Sequence, residues 1–375
     1  MWRVGEPGDP AGLLQRYLSG HGLAVDDLTA LPDEGCGGPG SLCGAAVLVS
    51  AAAQNVMAGR PPGPRTPAPG VPDVVAVVYE HIAPVATPPP APEVGRLGRW
   101  RRSWSRAEHA AAVATVREAI ARGDVFQVNL VGHWSAQYHG DPAAALAAVC
   151  RLPGARYAGV LADEDWAVAC ASPETFLVIA HGRIQTRPIK GTRPATQPGR
   201  IALLRSVKER AEHVMIVDLE RNDLGRIART GSVRVAELFA IRRWCDLWQA
   251  ESVIGAELAP GVGLAEVLRA MGPPGSVTGA PKLAAIDQIA ACEPVGRGPS
   301  MGAFGYLTRS RIDLGLTIRT VAYDAGRLHL WAGGGITWGS DPAREVAEAE
   351  AKAAPLRAAL AHAAGEVPDS ARLPG

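Results

Sequence analysis

Hydrophobic positions recur at helical spacing between residues 105 and 124. Ser105 precedes this run, Glu108 follows three residues later, and Gly123 lies near its end. A serine and a glutamate at this separation form a capping box, and glycine ends many helices. The pattern therefore predicts a helix over 105–123. Similar patterns predict further helices over 10–18, 142–152, 207–226, 263–271 and 342–362, and another directly after the glycine turn of 272–279.

Other segments are apolar or alternate over strand length. They predict strands in 45–53, 74–83, 125–138, 155–190, 233–241 and 303–338, with three consecutive strands in the last. Residues 33–45 and the Pro-rich stretches 60–72 and 83–95 are expected to be irregular connections. Because strands come in runs, without strict alternation with helices, the sequence predicts an α+β fold with largely antiparallel sheets.

The chain has 375 residues, enough for one large domain or two ordinary ones. We expect residues 1–98 to be a short, Pro-rich segment that adds strands to the same fold. Residues 99–365 would then form the main domain that carries the chemistry, and 366–375 a tail.

Composition narrows the classes of partner. The net charge of +1 gives no electrostatic case for binding nucleic acid or an anionic membrane. No apolar run approaches the ~20 residues of a membrane span, and the first residues lack the features of a signal peptide. The six cysteines are scattered and include no CxxC pair. These features predict a cytoplasmic protein with free thiols.

The candidate chemistry centres on Lys190, in the string Pro-Ile-Lys-Gly-Thr. Pro188 fixes its own φ, and Gly191 lets backbone approach a ligand closely. Carboxylates follow at Glu209, Glu212, Asp218, Glu220 and Asp223, and the last predicted helix places Glu345, Glu348 and Lys352 on one face. Taken singly, a lysine beside glycine or a charged helix face is more often just a solvated surface.

Six strings, which occur in this order along the chain, favour a functional site over a solvated surface: PIKGTRP, RAEHVMIVDLERNDLGRI, GSVTGAPK, GYL, LTIRT and AGGGI. Together they resemble the chorismate-utilising enzymes, which include anthranilate, aminodeoxychorismate and isochorismate synthases, over roughly residues 100–360. The resemblance implies two large, mostly antiparallel sheets packed face to face, with helices outside and the active site in the cleft between. Anthranilate synthases have alanine where this chain has Lys190, so the resemblance favours the aminodeoxychorismate synthase branch, as its large subunit.

The resemblance also implies roles for particular residues. Glu212 and Glu348 would hold Mg²⁺, with Glu209 and Glu345 as outer or water-mediated ligands. Glu174, in the string SPE, would be the acid that protonates the leaving C4 hydroxyl, and Lys190 the nucleophile at C2. An alternative role for Lys190 is electrostatic, blocking C2 and steering the nucleophile to C4. The implied substrate-binding positions are Gly191, Thr192, Gln249, Thr278, Ser300, Arg319, Gly333, Gly334, Gly335 and Lys352.

Within that set, Gly333–Gly335 is expected to be a turn that offers backbone N–H groups to the side-chain carboxylate gripped by Arg319. Three positions depart from the family pattern. Pro274 replaces one glycine of the usual turn, which stiffens the turn and removes a donor. Gln249 stands where the family has histidine, and Ser300 where it often has an aromatic residue. We expect weaker chorismate binding or acceptance of a bulkier amine.

The expected partners are chorismate and ammonia or another amine. No amidotransferase motif is visible, so the ammonia is expected from a separate glutamine amidotransferase subunit or from solution. Two alternatives stay open. The chain could be another enzyme of this family, with 2-amination, hydroxylation or a different amine, or a binding subunit that has lost activity.

Overall fold

The computed structural model describes residues 1–32, 40–81, 95–244 and 246–365. Its helices are α1 Pro10–Gly20, α2 Ala51–Met57, α3 Arg106–Arg122, α4 Ala143–Cys150, α5 Gln197–Arg205, α6 Val207–Gly225, α7 Leu264–Met271, α8 Lys282–Cys292 and α9 Pro342–Ala363. Its strands are β1 Leu42–Val49, β2 Val74–Glu80, β3 Arg96–Leu97, β4 Arg101–Arg102, β5 Gln127–His139, β6 Tyr157–Ala162, β7 Trp166–Ser172, β8 Thr175–Ala180, β9 Arg183–Arg187, β10 Ile189–Pro194, β11 Arg234–Trp244, β12 Leu247–Glu257, β13 Gly279–Ala280, β14 Ala303–Thr308, β15 Arg311–Leu316, β16 Thr320–Asp324 and β17 Arg327–Ile336.

Two antiparallel sheets form the centre of the molecule. Within the described residues, nine strands make the first sheet, in the order β10-β12-β9-β8-β15-β14-β1-β2 with β11 beside β12. Eight make the second, in the order β13-β5-β17-β16-β7-β6 with β3 and β4 beside β5. One buried cluster joins Leu177 and Phe304 of the first sheet to Val168 and Trp331 of the second. The sheets therefore pack face to face, which confirms the predicted fold class.

The helices form where the sequence supplies caps. The Ser105 hydroxyl accepts the Glu108 N–H, the Glu108 carboxylate accepts the Ser105 N–H, and Gly123 ends α3 with φ 84°. On the outer side of the second sheet, Ala349 and Ala353 of α9 share a buried cluster with Trp134 and other strand residues. The small alanine side chains let α9 lie close to the sheet, which fixes the height of its carboxylates above β17.

The N-terminal residues belong to the first sheet. β1 lies between β14 and β2, and a bridge joins Trp2 to Val74. Ser50 caps α2 by accepting the Ala53 N–H, so residues 51–53 are helical and the predicted strand over 45–53 is wrong there. That prediction failed because three alanines fit a helix as well as a buried strand. β1 also begins at Leu42, inside the stretch expected to be a loop.

The C-terminal strand region contains two further corrections. Residues 303–336 form four strands, β14 to β17, where three were expected. Gly333–Gly335 is no turn, because these glycines lie inside β17 and pair with Val131, Leu130 and Asn129 of β5. α5 was not predicted at all. Residues 33–39 of the predicted loop, most of the 83–95 connection and the 366–375 tail lie outside the described residues.

Two simpler expectations concern the environment of the chain. In the described part of the chain, Cys150, Cys170 and Cys292 are free thiols, as expected. No helix in the described ranges has both the length and the apolarity needed to cross a membrane.

Candidate active site

Lys190 lies at a register shift of the first sheet. The pairing of β10 with β12 shifts between Lys190 and Thr192, so Gly191 is the irregular residue. Its φ of +82° belongs to the left-handed region, and a Cβ there would lie 2.9 Å from Oε2 of Glu209. Glycine is therefore required here. Nζ of Lys190 donates to the Ser276 carbonyl at 3.1 Å, which directs the amine away from the first sheet.

Glu174 shares the same space. It lies between β7 and β8, is 6% exposed, and its Oε1 has no hydrogen-bond partner in the described structure. Burial raises the pKa of Glu174 to about 7, although the Lys190 ammonium opposes that rise. Burial also lowers the pKa of Lys190, with Glu174 opposing the shift and Lys352 adding to it. The site therefore favours a protonated carboxyl and a more readily neutral amine.

The segment Gly275–Val277, a single 3-10 turn, connects these two groups. Its Ser276 carbonyl accepts from Lys190, and its Ser276 side chain interacts with the Glu174 carboxyl and opposes the rise in its pKa. Thr278 follows directly and donates its hydroxyl to the Pro274 carbonyl at 2.7 Å. Ser276 was missed from the sequence, although it lies inside the GSVTGAPK string, because nothing local marks which residue of a turn faces a site.

Carboxylates from two helices face the same space. A Cβ on Gly334 would lie 3.4 Å from both Glu345 Oε2 and Glu348 Oε1 of α9. From α6, Glu212 accepts a long hydrogen bond from the Thr337 hydroxyl at 3.5 Å. The Lys190 ammonium interacts electrostatically with both Glu212 and Glu348. The structure thus brings both residues of the predicted metal pair within electrostatic range of Lys190.

Burial and neighbouring carboxylates disfavour the charged form of two of these side chains. Burial raises the pKa of Glu212, with Glu209 adding to the rise, and burial likewise raises the pKa of Glu345, with Glu348 adding to it. Burial by itself would raise the pKa of Glu348. The nearby ammonium groups, with Lys352 at 2.7 Å the strongest, lower the pKa of this carboxyl overall.

Among the described residues, no three His, Cys, Asp or Glu side chains stand close enough to make a metal centre by themselves. The donor set nevertheless fits a hard, oxygen-liganded cation that keeps several waters, because α6 and α9 both supply carboxylate oxygens, at Glu209, Glu212, Glu345 and Glu348.

The predicted substrate-binding residues fall into two groups. Thr192 pairs with Gln249, which is 6% exposed, and Lys352 donates to the Gly333 carbonyl at 2.8 Å. This group surrounds Lys190 and the carboxylates. The second group lies at the connection between β15 and β16. There the Ser300 hydroxyl donates to the Thr317 carbonyl at 3.1 Å, and the Arg319 carbonyl accepts the Ala171 N–H. The roles assigned to these residues stay predictions.

One buried residue near Lys190 was not found from the sequence. His213 follows Glu212 on α6, is fully buried, and its Nε2 lies 2.6 Å from the Ser252 hydroxyl. Burial lowers the pKa of His213 to about 4, so it adds no positive charge beside Lys190. A lone histidine on a predicted helix gives no signal of this contact, because Ser252 lies 39 residues away in sequence.

Comparisons with known proteins show what the chain is similar to. Residues 70–358 match the family described as chorismate binding enzyme. The chain is 39% identical over 269 residues to aminodeoxychorismate synthase component 1 of Klebsiella aerogenes, covering 70% of this chain and 60% of that protein. It is 37% identical over 278 residues to anthranilate synthase component 1 of Thermus thermophilus, covering 72% and 60%.

The same fold occurs in a solved structure. The crystal structure of anthranilate synthase component I from Streptococcus pneumoniae TIGR4 superposes with a TM-score of 0.78 at 25% identity, covering 95% of this chain and 88% of that one. The matched region spans about 60% of the length of the two curated relatives above.

Proposed function

The chain belongs to the chorismate binding enzymes, and from that premise we propose that it aminates chorismate at C4 to give 4-amino-4-deoxychorismate. One observation carries the proposal: Lys190 and Glu174 both contact Ser276 and interact electrostatically, and burial lowers the pKa of the lysine and raises that of the acid to about 7. An amine is a nucleophile only when neutral, and a general acid must hold its proton at the working pH. Relatives named aminodeoxychorismate synthase component 1 support C4 over C2 as the position aminated.

In the first step, Lys190 and Glu174 act together. The Nζ lone pair of Lys190 forms a bond to C2, the ring double bonds shift, and the C4–O bond breaks. Glu174 gives its proton to the departing hydroxyl, which leaves as water. Glu174 is buried and Lys190 is partly buried, which limits the access of bulk solvent to C4.

In the second step, ammonia takes the place of the hydroxyl. Its lone pair forms the new bond at C4, the ring double bonds shift back, and the C2–Nζ bond breaks with its electron pair returning to Nζ. The C4 ammonium returns one proton to the Glu174 carboxylate, and Lys190 departs as the free amine. One ammonia enters and one water leaves, so both side chains end in their starting protonation states.

Binding of the two substrate carboxylates is divided between the sheets. Glu212 and Glu348, with Glu209 and Glu345 around them, would hold Mg²⁺, which when bound supplies positive charge for the ring carboxylate. Gly191 and Thr192 would line the same side. Arg319 would grip the side-chain carboxylate with its guanidinium fork. Gln249, a neutral amide, would offer a hydrogen bond but no charge to the ring carboxylate.

The ammonia would come from a separate glutamine amidotransferase, in keeping with the words "component 1" in the names of the relatives. Another amine at the same position is the main competing outcome, because Gln249 and Ser300 differ from the family pattern.

The test is to incubate the purified protein with chorismate, Mg²⁺ and ammonium and to identify products by mass spectrometry. We expect the parent to make 4-amino-4-deoxychorismate. Lys190→Ala should abolish this product, because both versions of the lysine role need the side chain, and any residual turnover should move to C2. Arg205→Ala, an exposed basic residue on neighbouring α5, should match the parent. An alanine variant that forms the 4-amino product at the parent rate would refute the lysine role.

A further inference from the structure

The two proposed catalytic groups share one support. Lys190 Nζ donates to the carbonyl of Ser276, and the Glu174 carboxyl interacts with the side chain of the same residue. Any displacement of the Gly275–Val277 turn therefore moves the nucleophile and the acid together. What holds this turn in place consequently sets the geometry of the reaction.

The turn rests on α6. A Cβ on Gly275 would lie 2.3 Å from Leu219 Cδ2, so the backbone packs directly against the helix. The Gly275 N–H donates to Oε1 of Glu220, one residue further along α6, at 3.2 Å. Glu220 thus makes the hydrogen bond that ties the turn to the helix, at the residue next to Ser276.

The surroundings of Glu220 favour its neutral form. The side chain is 2% exposed, and its Oε2 has no hydrogen-bond partner within the described structure. The charged groups facing it are Asp223 on α6, Lys282 on α8 and Glu174 from the β7–β8 connection. Lys282 is already engaged, because its Nζ lies 2.6 Å from Asp223 Oδ2 and 3.3 Å from the Met271 carbonyl. An ionised Glu220 would be a buried second anion beside Asp223 without a cation of its own.

We propose that Glu220, in its protonated form, is a positioning residue that fixes the Gly275–Val277 turn and through it aligns Lys190 with Glu174. The proposal rests on the amination reaction above for its catalytic meaning, but its structural part stands on the contacts alone. Burial, and after it the charge of Asp223, raises the pKa of Glu220 to about 8, which agrees with a neutral side chain at pH 7.

Three variants separate the roles of shape and charge. Glu220→Gln keeps the size, the neutral state and an oxygen that accepts the Gly275 N–H, whereas Glu220→Ala removes the contact. Asp218→Asn is the matched control, on the same helix and 75% exposed. At pH 7 we expect Glu220→Ala to lower kcat about 100-fold while KM for chorismate changes little, since a displacement near 1 Å is enough for such a loss. The other two variants should stay close to the parent.

The pH profile tests the protonation state. The activity requires protons on Glu174, with a pKa of about 7, and on Glu220, with a pKa of about 8. Both protons are present below these values and are lost as pH rises. Both proteins also need the neutral Lys190 amine, so its titration contributes equally to the two profiles. Above pH 8, log kcat/KM should therefore fall about one unit more steeply per pH unit in the parent than in Glu220→Gln. Equal slopes in the two proteins would overturn the proposal.

Hydrogen exchange provides a readout that needs no turnover. The peptide that contains the Gly275 amide should exchange faster in Glu220→Ala than in the parent, and it should keep its protection in Glu220→Gln and Asp218→Asn. Unchanged protection in Glu220→Ala overturns the proposal, whatever the activity. If the parent makes no amino product but the alanine variant loses protection, the reaction assignment fails while the positioning role stands. If Glu220→Ala does not fold, exchange and the pH slope in Glu220→Gln decide.

Discussion

Lysine is rare in this chain, and each lysine lies at the candidate site or directly behind it. The four are Lys190, Lys208, Lys282 and Lys352, while the other basic residues are arginines. They contact Ser276, Glu212, Asp223 and Glu348. Arginine stays charged at any working pH, whereas an ammonium is compact and can lose its proton when buried. A composition that favours arginine elsewhere is thus consistent with lysine retained where an amine is needed.

Glu174 provides a prediction about how the activity depends on pH. Because its pKa is raised to about 7, the proton needed for catalysis is present below pH 7 and is lost as pH rises. Glu174→Gln should lower kcat/KM about 10²–10⁴-fold and remove the loss of activity near pH 7. The pH dependence of kcat/KM for both proteins checks this. Glu118→Gln, exposed on α3, is the control, and an unchanged profile in Glu174→Gln would remove Glu174 from the acid role.

Among the elements, α6 is the one that combines the functions of the site. Its residues Glu209, Glu212, Glu220 and Asp223 fall on one stripe at helical spacing. Glu209 and Glu212 face the proposed cation site. Glu220 supports the turn under Lys190, and Asp223 pairs with Lys282 of α8. The helix therefore fixes the distance between the proposed cation site and the nucleophile, which makes its anchoring important for stability as well as for activity.

The Asp223–Lys282 pair provides a stability prediction at this scale. Both side chains are at least nine-tenths buried and lie 2.6 Å apart. Lys282→Met should leave the Asp223 carboxylate without its cation and lower the free energy of unfolding by about 3–5 kcal/mol.

Denaturant unfolding measures the loss. Arg221→Met breaks the exposed pair with Asp218 on the same helix and should cost less than about 1 kcal/mol. A similar, small cost for both variants would show that Asp223 is solvated rather than buried.

At the scale of the whole molecule, the N-terminal residues complete the first sheet. β1 pairs with β14 on one side and β2 on the other, and its Val47 and Leu48 are buried. We propose that residues 1–98 are part of one folding unit with the rest of the chain, as the sequence suggested.

Removal of residues 1–98 should therefore leave the edge of β14 unpaired and apolar surface exposed, with loss of cooperative unfolding and aggregation. Circular dichroism during thermal unfolding measures cooperativity, and light scattering measures aggregation. Deletion of the predicted tail, 366–375, is the control and should leave the melting temperature unchanged. A soluble, cooperatively folding 99–375 fragment would show instead that the main domain is independent.

The class of fold, most helices and the residues with candidate chemistry could be predicted from the sequence alone. Periodicity and caps are local, so α3 and α6 could be placed from a few neighbouring residues, and ordered motifs singled out Lys190, Glu174 and the four glutamates. Helix or strand was ambiguous only where alanine fits both, as at residues 51–53, and Gly333–Gly335 was misassigned because glycine marks turns and tightly packed strands alike.

Only the tertiary structure decided which of these groups face one another. The Ser276 carbonyl is 86 residues from Lys190 in sequence, and the Gly275 N–H is 55 residues from Glu220. Such contacts depend on how α6 and two sheets pack, and the pKa values of Glu174 and Glu220 depend on burial that packing creates. No local pattern encodes either quantity, because desolvation and long-range charge are properties of the assembled fold.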